Sequence, residues 1–192
     1  MATPFNLVFA AMWLAWLACW GIFSRRVKAT ARRESVASRL SYILPIMMAA
    51  ILLATPALDV SVLSERFLPA SGARLWGGIG AAITLGGLLF TVWARVRLGS
   101  NWSGTVTIKE DHELITSGPY RFVRHPIYTG LLLAFLGQAI AVGQWRGVLA
   151  VALAASAFWR KLRIEEQWMR EHFGSAYEAY SQRVAALIPF VF

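Results

Sequence analysis

Lys161 and Glu165 stand four residues apart in the segment WRKLRIEEQWMREHF, residues 159–173. On a helix that spacing makes them neighbours that can pair. At 100° per residue, Leu162, Trp168, Met169 and Phe173 share one apolar arc. Lys161, Glu165 and His172 fall inside that arc, while Arg163, Glu166, Gln167, Arg170 and Glu171 fall outside it or at its edge. An amphipathic helix lying on lipid accounts for Arg163 and Arg170. It does not account for a carboxylate between Trp168 and Met169. A partly buried Lys–Glu pair is a candidate for orienting a charged reactant, although structural pairs also occur.

A second cluster precedes it. Tyr120, Arg124, His125 and Tyr128 lie within nine residues. His125-Pro126 reads as a helix start, with proline in the first turn, where it is tolerated. That places Arg124, His125 and free backbone N–H groups at a helix N-terminus, a natural receiver of a carboxylate or another anion. The polar stretch 98–128 around this cluster is too long for a turn between two helices. Within it, residues 106–108 and 114–115 read as short extended pieces with a turn at 109–111, and Ser117-Gly118-Pro119 breaks the chain again.

Other chemistry finds little support. There is no Walker loop, GxGxxG, HExxH or GxSxG. Three isolated histidines make no metal site, and the single Cys19 excludes an internal disulfide framework and a cysteine-rich metal centre.

The elements that must hold these residues are apolar. Of 192 residues 57% are hydrophobic and 15% are charged, and the mean hydropathy is +0.53. That leaves too little polar material to cover a soluble fold, and too much apolar area for a disordered one. Four blocks without formal charge, 5–23, 40–58, 75–94 and 126–145, each match the roughly 20 residues a membrane helix needs. A shorter fifth block, 147–159, crosses only if Arg146 and Arg160 snorkel towards opposite interfaces. Block 5–23 lacks a basic n-region and is followed by Arg25 and Arg26, so it does not read as a cleavable leader.

The net charge of +9 is unevenly spread. Arg25, Arg26, Lys28, Arg32, Arg33 and Arg39 follow the first block. Arg95, Arg97, Lys109, Arg121 and Arg124 follow the third. Arg160, Lys161, Arg163, Arg170 and Arg183 follow the fifth. The connection 59–74 is nearly balanced. Five crossings put the basic connections and the tail in the cytoplasm and the N-terminus outside. With no base-reading motif, the charge reads as topology and lipid contact, and no nucleic-acid partner is expected. Gly77, Gly78, Gly80, Gly86 and Gly87 give the third block a small-residue packing face. Pro45 and Pro56 are candidate kinks, and residues 28–38 read as an interfacial or mobile linker.

GPYRFVRHPIYTG, residues 118–130, resembles the signature of the isoprenylcysteine carboxyl methyltransferase family. RIEEQWMREHFGSAYEAYSQRVAALIP, residues 163–189, is similar to the family's C-terminal signature, and LGSNWSGTV also fits. RHPxY is shared with phospholipid N-methyltransferases and some membrane reductases, and the combined pattern is the more specific. The resemblance covers 98–189. It implies one all-α integral membrane domain over 1–192, with 1–97 as helical scaffold and 98–192 as the catalytic half. It implies S-adenosylmethionine as cofactor, no metal, and a lipophilic or prenylated acceptor met in membrane lipid. Carried over by position, His112, Glu113, Leu114, Ile115 and Tyr120 line the cofactor pocket. His125, Pro126, Ile127 and Tyr128 form its second wall, and Glu165 matches the glutamate that contacts the cofactor. The family's arginine for the substrate carboxylate is replaced here by Lys161, a point charge where arginine would clamp with two bonds; Arg163 is the other candidate.

The implied chemistry is methyl transfer to a carboxylate. An ionised carboxylate needs no general base, so the protein must align the reactants and exclude water. Methylation of an amine or thiol such as a phospholipid headgroup, a nicotinamide-dependent membrane reductase, and a lipid-binding scaffold are the competing readings.

Overall fold

The computed structural model describes residues 4–23, 27–55 and 61–191. Arg25, Arg26 and Pro56 lie outside the described residues. Five long helices are found among the described ones: α1 (Pro4–Phe23), α2 (Val36–Ala54), α4 (Ala73–Leu98), α5 (Pro126–Val142) and α6 (Trp145–Phe173). Two short α-helices, α3 (Ser61–Ser64) and α7 (Ser175–Ser181), and three single 3-10 turns accompany them among the described residues. By length and composition α1, α2 and the stretch Ala70–Asn101 around α4 can each cross a membrane, and α5 is a shorter apolar helix.

Local chemistry sets the ends. Ser35 starts α2, its hydroxyl accepting the Ser38 N–H at 3.2 Å. Pro126 sits in the first turn of α5, and Gly143, left-handed at φ 62°, ends it. The expected fifth block and the expected amphipathic helix prove to be one element, α6, of 29 residues. Between residues 148 and 173 there is no glycine or proline to break the backbone. A change from apolar to polar side chains does not interrupt i→i−4 hydrogen bonds. Arg146 and Arg160 flank the shorter block within this one helix. They bind opposite ends of antiparallel α2. Arg146 donates to Leu52 O (2.8 Å) and Thr55 O (2.6 Å), and Arg160 to Ser41 Oγ (2.5 Å).

The tightest packing joins α4 to α5. A Cβ on Gly87 would lie 2.4 Å from Gly130 O, and one on Gly80 would lie 2.3 Å from Gly137 O. Thr84 Oγ1 donates across the same seam to Ala134 O at 3.1 Å. Gly78 and Gly86 face open space and take no part. Gly87→Val is expected to overpack this seam by about 1–3 kcal/mol. A thermal melt in detergent should show a lowered midpoint for Gly87→Val and little change for Gly86→Ala.

Residues 28–38 are not a free linker. Strand β1 (Thr30–Arg33) pairs antiparallel with β2 (Thr107–Lys109), with an irregularity between Thr30 and Arg32. Of the two extended pieces expected in the long loop, the first is β2 and residues 114–115 join no strand. Asp111 makes the turn at φ 49°. Arg32 fastens β1 to α6, 4.1 Å above the Trp168 ring and 2.8 Å from Glu171. Helices α1, α4 and α6 run one way and α2 and α5 the other. The segments 27–35, 99–125 and 160–191 consequently gather at one end of the bundle.

Candidate active site

The second half of α6 lies at that end and presents two adjacent carboxylates 100° apart. Glu165 turns inward. Tyr128 Oη donates to Glu165 Oε1 at 2.6 Å, His125 Nδ1 lies 3.6 Å from Oε2, and Lys161 Nζ lies 4.0 Å from Oε1. Glu166 turns towards the start of α5. It receives Arg124 Nε (2.8 Å) and Nη2 (2.7 Å), meets His125 Nε2 at 3.2 Å, and is joined by Arg170 at 3.2 Å. His125 is thus held between the two carboxylates and stacks on Tyr128, with ring centres 5.4 Å apart.

The anion at the start of α5 is accordingly the protein's own. Arg124 also donates to Ser181 O (2.9 Å) and Val184 O, and the backbone N–H groups of Arg124 and His125 go to Ala185 O (2.8 Å) and Ala186 O (3.0 Å). The N–H groups of the two residues that lead into α5 are thus consumed by packing the C-terminal segment onto it. The sequence reading set Glu166 outside the apolar arc of its helix or at its edge. It is 5% exposed, because Arg124 arrives from a different element.

Electrostatics favour the charged forms of these groups. Burial disfavours the His125 imidazolium, but the bonds and charges of Glu165 and Glu166 outweigh it and raise its pKa. Burial likewise acts to raise both carboxylates, and His125 with Lys161 and Tyr128 lowers Glu165, while His125 with Arg124 lowers Glu166. Lys161 Nζ donates to Gly104 O at 3.0 Å and stands 5.2 Å and 5.3 Å from the Tyr42 and Tyr128 ring centres. Aromatic faces and one carbonyl hold the ammonium without a full ion pair.

A cavity of about 1120 Å³ opens beside this group. Glu165, Lys161, His125, Pro126, Ile127 and Tyr128 line one side. His112, Glu113, Leu114, Ile115 and Tyr120 line another, so ten residues singled out from the sequence, together with Lys161, face one space. Arg163 is exposed and does not line it. Tyr42, Asn101 and Trp102 line it too, and the sequence reading had not selected them. Asn101 and Trp102 fall inside the LGSNWSGTV motif, the available signal; Tyr42 sits in an apolar block and gave none.

His112 accepts the Lys109 N–H on Nδ1 at 3.1 Å, which requires the neutral ring. Burial, with His172, Lys28 and Lys109 adding, lowers its pKa to about 4. The stability this adds is present above 6.5 and lost as pH falls towards 4. An NMR titration should show one histidine with a midpoint near 4 that disappears in His112→Asn.

Residues 76–176 match the family model described as phospholipid methyltransferase. The chain belongs to this family. It is similar to protein-S-isoprenylcysteine O-methyltransferase B of Arabidopsis thaliana, with 28% identity over 65% of this chain and 66% of that protein. To the Schizosaccharomyces pombe protein-S-isoprenylcysteine O-methyltransferase it is 34% identical over 51% of this chain and 43% of that one. Its fold matches the eukaryotic intramembrane Ras methyltransferase ICMT (isoprenylcysteine carboxyl methyltransferase) with a TM-score of 0.51 and 26% identity, over 81% of this chain and 50% of that chain. The chain therefore spans between about two fifths and two thirds of these proteins' lengths. The family resemblance drawn from RHPIY and the Glu165 helix is shown, as is the helical membrane fold.

Proposed function

We propose that the protein transfers a methyl group from S-adenosylmethionine to the carboxylate of a lipophilic, prenylcysteine-like acceptor. The observation that carries this reading is the place of Glu165 and Lys161. They stand where the polar end of the cavity meets its apolar part, lined by Phe9, Trp16, Ile46 and Phe135.

The residues suit the cofactor. Glu165 offers a half-buried carboxylate to a sulfonium or ammonium group, and Tyr128 and His125 fix its rotamer. The backbone of Leu114 and Ile115, on the cavity wall, offers donors and acceptors to a flat heterocycle. S-adenosylmethionine supplies a methyl carbon on a positively charged sulfur. Lys161 draws the acceptor carboxylate towards the cavity. A single point charge, already shared with Gly104 O, leaves the oxygen nucleophilic. Arg163 is too exposed for this role. Helix α1 packs chiefly on α4, so the apolar part of the cavity borders α1 and α2 and can admit a lipid tail sideways. We place the site and the C-terminus in the cytoplasm, on the weight of basic residues at this end.

Membranes carrying the protein are to be incubated with methyl-labelled S-adenosylmethionine and a panel of prenylcysteine acids, phospholipid amines and thiols. Base-labile label on the acids, at a rate flat in pH above the carboxylate range, is the expected result. Transfer to amines with a rate rising with pH would replace this reading, because an amine must first lose a proton. Absence of cofactor binding would end it.

A further inference from the structure

Helix α5 shows one face to the cavity at heptad spacing: Tyr128, Leu131, Phe135, Gln138 and Val142. Gln138 is the polar residue in the apolar stretch of that face. Its Oε1 accepts the Trp13 indole N–H at 2.9 Å. Indole can only donate, so chemistry fixes the amide orientation: oxygen to Trp13, NH2 elsewhere. That NH2 has no hydrogen-bond partner among the described residues, and Gln138 lines the cavity. An amide left bare at membrane depth is unfavourable, and polar groups there mark ligand paths. Farther along the cavity, Arg66 and Arg146 are already bonded to the carbonyls of Leu68, Val142, Leu52 and Thr55.

We propose that the Gln138 NH2 is a polar station for the acceptor's tail, selecting lipids whose chain carries a hydrogen-bond-accepting oxygen, such as a carbonyl, ether or hydroxyl. The distance is set by the helix. Gln138 lies ten residues beyond Tyr128, whose hydroxyl touches Glu165, so the station is about 15 Å from the methyl-transfer end. An all-hydrocarbon tail leaves the amide unsatisfied, and an oxygen there completes it. This inference rests on the acceptor reading above and adds the chemical class of the tail.

The test uses equilibrium binding, which needs no turnover. Two probes are titrated into the full chain in lipid nanodiscs and followed by tryptophan fluorescence. They are N-acetyl-S-farnesylcysteine and an analogue of equal length with a keto oxygen in its terminal isoprene unit. The wild type is expected to bind the keto probe about tenfold more tightly, the ratio one neutral hydrogen bond supports. In Gln138→Leu and Gln138→Met the ratio should fall to about one or below. Equal binding of both probes by the wild type overturns the station alone, as does a ratio unchanged in either variant, which would leave Gln138 as a tie between α1 and α5. Binding of neither probe overturns the station together with the acceptor reading. The wild-type ratio decides even if a variant does not fold.

Discussion

Glu165→Gln is expected to weaken S-adenosylmethionine binding by roughly 10- to 150-fold, while the protein still inserts and folds. The substitution is nearly isosteric. Tyr128 can still donate to the amide oxygen, so the rotamer and the α5–α6 contact survive. What disappears is the negative charge, and with it the carboxylate 4.0 Å from Lys161 Nζ. A hydrogen bond to a charged group is worth about 1.5–3 kcal/mol, and each 1.4 kcal/mol is tenfold in affinity. Calorimetry with purified protein measures this directly. Unchanged affinity would remove Glu165 from the cofactor site and favour a purely structural motif. His125→Ala should weaken binding as well, because it frees the Glu165 rotamer.

Glu166→Ala should act on stability. Glu166 and Arg124 are 6% and 11% exposed at the side chain, and Arg124 also holds the carbonyls of Ser181 and Val184. Removing one member of a buried pair leaves the other charge uncompensated, at a cost of about 3–5 kcal/mol. For a chain of this length the melting midpoint should drop by about 10 °C. The pH profile separates this from simple loss of packing. The lowered pKa of Glu166 contributes stability that is present above 4.5 and lost as pH falls through the lowered value. The raised pKa of His125 contributes stability that is full below 6.5 and lost as pH climbs through the raised value. These two contributions therefore fall on both flanks of the window between about 4.5 and 6.5, with the His112 loss below 6.5 superposed in wild type and variant alike. In Glu166→Ala both slopes should flatten, and identical slopes would show that the network does not bear the load.

Much of the site was legible before any coordinates. The i,i+4 spacing of Lys161 and Glu165 survives as a 4.0 Å approach, because helical geometry is local. The RHPIY motif places His125 and Tyr128 one turn apart at a helix start, and both reach Glu165. Where the reading slipped, the decisive partner came from a distant element. Glu166 falls outside the apolar arc or at its edge by periodicity, and its own helix does not reveal that Arg124 will bury it. The join between 147–159 and 159–173 was missed because polarity changes there while the backbone does not.

The sequence by itself determined the membrane class and the residue types gathered at one end. Those follow from apolar block length and helix periodicity, both properties of neighbours in the chain. Only the tertiary structure decided that Arg124 is satisfied internally, that Arg163 faces outward, and that Gln138 faces the cavity with its NH2 free. Those depend on which surfaces meet when α1, α5 and α6 pack, and the sequence pattern of any one helix does not contain that.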